Sequence, residues 1–134
     1  MLYMLDTNIC IYSMKQHPPA VLRRFAALHY GDAVISVVTY AELRTGIEML
    51  GPQRAQDEQA LGLFIQRIPV LPVAEPTAIQ YGILRAAVRD RRRDAFDRLI
   101  AAHALAVEAT LVTNNEADFQ DYPGLRLENW ARES

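Results

Sequence analysis

Short apolar runs recur along this chain, and a stretch of helical spacing follows nearly every one. Residues 2–6 form the first run, which ends in Asp6-Thr7-Asn8 and reads as a strand. A helix is expected from about 9 to 16, and Pro18-Pro19 stops it and opens a second, with Val21, Leu22, Phe25 and Leu28 in period. Gly31-Asp32 is a turn, and 33–36 is a second strand. Residues 39–50 are helical, with Leu43, Ile47 and Leu50 on one stripe, and Gly51-Pro52 ends them. The next helix, 53–67, carries Leu61, Phe64, Ile65 and Ile68 toward a core. A strand at 70–73 leads to a helix from 75 to about 91, with Pro76 suited to its first turn. Residues 95–108 form a helix with Phe96, Leu99, Ile100, His103 and Val107 in period. A strand at 110–113, a short helical turn at 116–119, a turn at Tyr122-Pro123-Gly124 and a strand at 125–128 complete the pattern.

This alternation predicts an α/β fold: a central parallel sheet of about five short strands, flanked by helices on both faces. The 134 residues, half of them apolar, suit one domain over 1–134. No apolar run approaches the roughly 18 residues needed to cross a bilayer. The opening Met-Leu-Tyr-Met-Leu-Asp lacks a signal-type flank, and Cys10 is the sole cysteine. A cytoplasmic protein without a membrane role is therefore expected.

In an open parallel sheet, sites form beyond the C-terminal ends of the strands. Those ends carry Asp6-Thr7-Asn8, Ser36 with Glu42 a turn or so into the next helix, and Thr113-Asn114-Asn115 followed by Glu116 and Asp118. The helix before the fourth strand opens with Asp94-Ala95-Phe96-Asp97. Carboxylates gathered at one edge repel, and some must take up protons. A hard divalent cation relieves this, because Mg²⁺ commonly uses one or two carboxylates plus waters and substrate phosphates. Each acid also has an ordinary structural reading. Asp6 can cap a helix, Glu42 can be solvated, Asp97 can answer the helix dipole, and Asp118 can lie on the surface. Asp94 is the better N-cap of its helix, His103 belongs to a buried stripe, and Cys10 reads as a small buried hydrophobe.

Other chemistries fall away. The three serines stand in no Gly-x-Ser-x-Gly elbow, and there is no P-loop and no dinucleotide-binding glycine pattern. One cysteine and three scattered histidines give no zinc spacing. A phosphoacceptor signalling domain needs a lysine beside its acids, and Lys15, the only lysine, lies in the first helix. Net charge is −2, so no general basic surface is present, yet Arg85, Arg89, Arg91, Arg92, Arg93 and Arg98 fall close together. Such a cluster is either a solvated helix face or a phosphate-binding one.

Four segments, in order and nearly end to end, resemble PIN-domain ribonucleases of the VapC toxin type. They are Met4-Leu5-Asp6-Thr7-Asn8-Ile9-Cys10-Ile11, Ile35-Ser36-Val37-Val38-Thr39-Tyr40-Ala41-Glu42-Leu43, Phe96-Asp97-Arg98-Leu99-Ile100-Ala101-Ala102-His103-Ala104, and Leu111-Val112-Thr113-Asn114-Asn115 through Asp118-Phe119 to Trp130. The resemblance implies a PIN fold and an endoribonuclease that uses Mg²⁺ or Mn²⁺. It implies Asp6, Glu42 and Asp97 as the core carboxylates, Asp118 as a further acid, and Asn8, Ser36, Thr113 and Asn115 as residues that orient ligands or waters. It also implies structured RNA such as tRNA as substrate, a VapB-like antitoxin as partner and a homodimer. An antitoxin segment is expected in a groove near Tyr12, Met14, Met49 and Leu50, sending a basic side chain to the acids.

Two departures stand out. Asn115 occupies a position where many relatives have aspartate, so the fourth acid shifts to Asp118 or Glu116. Arg91-Arg92-Arg93-Asp94 replaces a glycine-rich turn, and Arg92 and Arg93 are expected to meet RNA phosphates beside the acids. Two rivals share the fold: a binding module with idle acids, and a DNA-directed nuclease or phosphatase at the same metal site.

Overall fold

The computed structural model describes residues 1–49, 51–90 and 94–132. Its elements, in chain order, are β1 (Tyr3–Leu5), α1 (Thr7–Lys15), α2 (Pro19–Ala26), β2 (Ala33–Ser36), α3 (Val37–Glu48) and α4 (Arg54–Arg67). They continue with β3 (Val70–Leu71), α5 (Glu75–Ala87), α6 (Ala95–Ala106), β4 (Thr110–Val112), a 3₁₀ turn at Glu116–Asp118 and β5 (Leu127–Glu128). The strands form one sheet in the order β3-β2-β1-β4-β5, with every neighbouring pair parallel. The predicted α/β architecture with five short strands is what the chain adopts.

The alternation of strand side chains divides the core in two. Leu5, Ile35 and Val112 point to one face and pack with Ile9, Leu43, Ile47, Leu61 and Phe64 of α1, α3 and α4. Met4, Val34 and Leu111 point to the other, against Leu84 of α5 and Ile100, Ala101 and Ala104 of α6. Both faces are covered, which is why such short strands are stable.

Element ends differ from the sequence expectation for local reasons. The helix expected from residue 9 begins at Thr7, because the Asp6 side chain accepts from the Ile9 N–H at 2.9 Å and closes the first turn. Likewise Ser36 caps α3, accepting from the Val38 N–H at 3.1 Å, so that helix begins at Val37 rather than 39. Strand β3 stops at Leu71, since Pro72 has no N–H to give a ladder. Helix α5 ends at Ala87 instead of running to 91, and the Arg85 guanidinium donates to the Val88 and Arg89 carbonyls beyond it. Strand β5 covers only Leu127–Glu128, because Gly124 has φ +80° and Leu125 N–H bonds back to Tyr122 O within the turn. Among the described residues, no helix is long and apolar enough to cross a membrane.

Candidate metal centre

β1 and β4 lie side by side at the middle of the sheet, with Leu5 opposite Val112. Asp6 and Thr113 follow them directly. Asp6 is 7 % exposed, and burial raises its pKa above the ordinary aspartate range. The Thr113 hydroxyl and the N–H groups of Ile9 and Asn8 pull against that rise, while the charge of Glu42 adds to it. Thr113 Oγ1 accepts from Asn115 N–H at 3.0 Å, which leaves its own proton for Asp6. Thr113 is thus placed as a residue that orients an acid. The Asn8 side chain is exposed, and what Asn8 offers Asp6 is its backbone N–H.

Glu42 lies in α3, half-buried, and its Oε1 accepts from Thr7 Oγ1 at 2.8 Å. The sequence reading passed over Thr7; its place directly after Asp6 was the signal available. Asp97 lies in the first turn of α6, half-buried, with its pKa pushed up to about 6. Burial is the largest cause, followed by the charges of Asp118, Asp94, Glu42 and Asp6. Asp94 stands at the N-cap position, as expected, though its side chain makes no capping bond. It adds instead to the negative field around Asp97.

Asp118 and Glu116 part ways. Asp118 receives the Asn115 side-chain amide and its charge reaches Asp97. Glu116 Oε1 turns to Arg132 at 2.7 Å and Asn129 at 3.2 Å. Asn115 therefore serves as the donor that holds Asp118.

Among the described residues, no three carboxylate, imidazole or thiolate groups already stand at the spacing of a closed ion cage. The carboxylates nonetheless feel one another, and the two observations agree physically. Coulomb repulsion acts across many ångströms, whereas ligands close to about 2.0–2.6 Å of a hard cation. The donor set is all oxygen and strongly negative, with hydroxyl and amide groups orienting it, which fits Mg²⁺ or Mn²⁺ and not a soft, thiolate-seeking metal.

Other expectations are redrawn. Ser36 is buried and donates to His103 Nδ1 at 2.8 Å, so His103 is a hydrogen-bonded core residue and Ser36 is a helix cap rather than a group open to ligand. Phe96, expected on the buried stripe of α6, is 60 % exposed, because the first turn of that helix buries Arg98 instead. Of the arginine cluster, Arg98 is buried and sits over the Tyr81 ring at 5.5 Å, while Arg85 and Arg89 donate to carbonyls near the end of α5. Arg92 and Arg93 lie outside the described residues. A groove of about 340 Å³ opens between α1, α3 and α4, lined by Ile11, Met14, Leu43, Ile47 and Leu61, with Thr7 and Glu42 also on its wall. Met14 belongs to it as expected. Tyr12 faces elsewhere, its hydroxyl accepting from Asn114 Nδ2 at 2.9 Å, Met49 projects into solvent, and Leu50 lies outside the described residues.

Residues 3–125 match the PIN domain family model. The chain is 36% identical over 133 residues to Ribonuclease VapC2 of Rickettsia felis, covering 97% of this chain and 98% of that protein. It is 38% identical over 134 residues to the tRNA(fMet)-specific endonuclease VapC of Shigella flexneri, covering 96% and 98%. Among solved structures, it resembles a chain of VapBC2 from Rickettsia felis bound to a promoter DNA fragment, with TM-score 0.85, 34% identity and coverage of 97% and 99%. It also resembles a chain of VapBC-1 from nontypeable Haemophilus influenzae, with TM-score 0.86, 34% identity and coverage of 98% and 100%. The chain belongs to the PIN-domain family, among the VapC-type ribonucleases.

Proposed function

We propose that this chain is the endoribonuclease toxin of a VapBC-type pair, cleaving RNA, and tRNA in particular, at a Mg²⁺ or Mn²⁺ site. The observation that carries the reading is the gathering of Asp6, Glu42 and Asp118 around Asp97, whose charges add to burial in lifting that carboxyl to about 6. Asp6, Asp97 and Glu42 would hold the cation, with Asp118 beside them. Bound there, a divalent cation polarises a phosphate and lowers the pKa of an attacking water. The chain's own groups prepare the place. Thr113 and the first turn of α1 orient Asp6, Thr7 orients Glu42, and Asn115 orients Asp118. The choice of tRNA is supported by the Shigella flexneri relative named for that substrate.

An antitoxin segment suits the groove between α1, α3 and α4, because the groove is mostly apolar and reaches Glu42 at one end. A basic side chain entering there would answer the negative field that raises the Asp97 pKa. The similar VapBC complexes support such a partner. We further read the chain as one domain, a cytoplasmic protein and a homodimer, and assign Arg92 and Arg93 to RNA phosphates. The test is cleavage of total cellular RNA and of matched DNA, with and without EDTA, by wild type beside Asp6→Asn. Cleavage that persists in EDTA or in Asp6→Asn overturns the metal site; preference for DNA overturns the substrate.

A further inference from the structure

Helix α6 carries Asp97 in its first turn and, next to it, the buried Arg98 over Tyr81 of α5; beyond Arg98 its buried face is made mostly of small side chains. Ala101, Ala102 and Ala104 are fully buried and Ile100 nearly so. Small side chains form shallow ridges, and apolar burial has no preferred direction. Such a face holds a helix against a sheet firmly but sets its position along the sheet weakly. Hydrogen bonds are directional and do set position.

The described α6 has one imidazole in this smooth face. His103 is 1 % exposed, accepts from Ser36 Oγ at Nδ1 (2.8 Å) and donates to the Pro72 carbonyl. One ring therefore joins three segments: α6, the end of β2, and the residue after β3. Ser36 is also the cap of α3, accepting from Val38 N–H at 3.1 Å, and α3 carries Glu42. The path from Asp97 to Glu42 runs through α6, His103, Ser36 and α3. A leucine would fill this place without the cost of burying polar atoms, so packing alone does not call for histidine.

We propose that His103 is a positioning residue for the acidic site: through Ser36 it fixes α6 and Asp97 against the β2–α3 junction and Glu42. The inference rests on the reading of Asp97 and Glu42 as cation ligands. His103 touches neither acid, and its role is to hold the two helices in one register.

The test is Mn²⁺ binding to the full chain, by titration calorimetry, beside the melting temperature. The variants are Asp97→Asn, His103→Leu, His103→Asn, Ser36→Ala and the Ser36→Ala/His103→Leu double. Asp97→Asn should weaken Mn²⁺ binding strongly; if it does not, the metal reading fails, whatever the others do. Given that loss, His103→Leu and Ser36→Ala should each weaken binding by about tenfold, the low end of what supporting groups around metal ligands contribute. The double should be no worse than the weaker-binding single, because both cut one path. His103→Asn, which can still reach Ser36, should recover part of the loss. Lowered melting temperature with unchanged Mn²⁺ affinity would make His103 a packing residue only and overturn the proposal, as would additive losses. Should His103→Leu fail to fold, Ser36→Ala and His103→Asn decide the matter, since neither opens a large cavity.

Discussion

Two charged regions of the molecule behave in opposite ways. On the outer side of α3, Arg44 and Glu48 meet Arg54 and Glu58 of α4 in a lattice of ion pairs, with contacts from 2.6 to 3.8 Å. There every charge has an opposite neighbour, Arg54 above all draws the Glu48 carboxyl below its ordinary range, and water screens the group. At the start of α6 and the ends of β1 and β4, acids face acids, burial compounds the repulsion, and Asp97 rises to about 6. Matched charge on a wet surface asks nothing of a ligand. Acids gathered in a half-buried place favour something positive that is to arrive.

The strongest way to break that contrast is to delete an acid. Asp6→Asn should lower RNA cleavage by about a thousandfold or more, the scale of several kcal/mol of transition-state stabilisation. Asparagine still offers an oxygen to the Ile9 N–H, so circular dichroism and melting temperature should show an intact fold. Alanine would also remove the cap, at about 1 kcal/mol, and confuse the two effects. Loss of cleavage together with unfolding would blur the contrast; full activity would end it.

A smaller effect is expected from pH. The Asp97 carboxyl titrates near its ordinary 3.8 in an unfolded chain and near about 6 in the native one. Between these values the native state holds more protons, so metal-free stability should fall as pH rises through that window and level off above it. Protons and cation compete for Asp97, so apparent Mn²⁺ affinity should rise over the same range. Asp97→Asn should flatten both profiles in melting and calorimetric titrations. A stability curve that rises from pH 4 to 6 through Asp97 has the wrong sign and refutes the assignment.

Next comes the Asn129→Ala/Arg132→Ala pair, which frees Glu116 while leaving the acids in place. The 3₁₀ turn that carries Asp118 should loosen, with a several-fold drop in cleavage and faster amide exchange at 116–118. Smallest of all, Glu48→Gln with Arg54→Gln should leave cleavage and Mn²⁺ affinity unchanged, with a melting point close to wild type. A marked fall in activity there would mean that the two regions are coupled and that the contrast is false.

The sequence made the acid end legible because strand-end position is set by topology, and the topology followed from apolar runs such as 33–36. It made less of side-chain direction. Helical period puts Phe96 on the buried stripe, but only the third dimension says that Phe96 faces solvent while Arg98 is buried over the Tyr81 ring. The same limit hid the split between Glu116 and Asp118. Both follow β4, and what separates them is Arg132 and Asn129, which come back from beyond β5. Thr7 and His103 are cases of another kind: a threonine after a capping aspartate and a histidine in an alanine-rich stripe have unremarkable local readings. Their partners, Glu42 and Ser36, lie on other elements.

The sheet order places β1 between β2 and β4. Asp6 is made early in synthesis, yet its strand neighbour and the Thr113 hydroxyl that steadies it come far along the chain. Asp97 and Asp118 are also late. A chain not yet made that far therefore holds Asp6 and Glu42 without Asp97 and Asp118, and no assembled set. Contacts between distant parts of the sequence form slowly, so the acids come into register with the whole sheet rather than ahead of it.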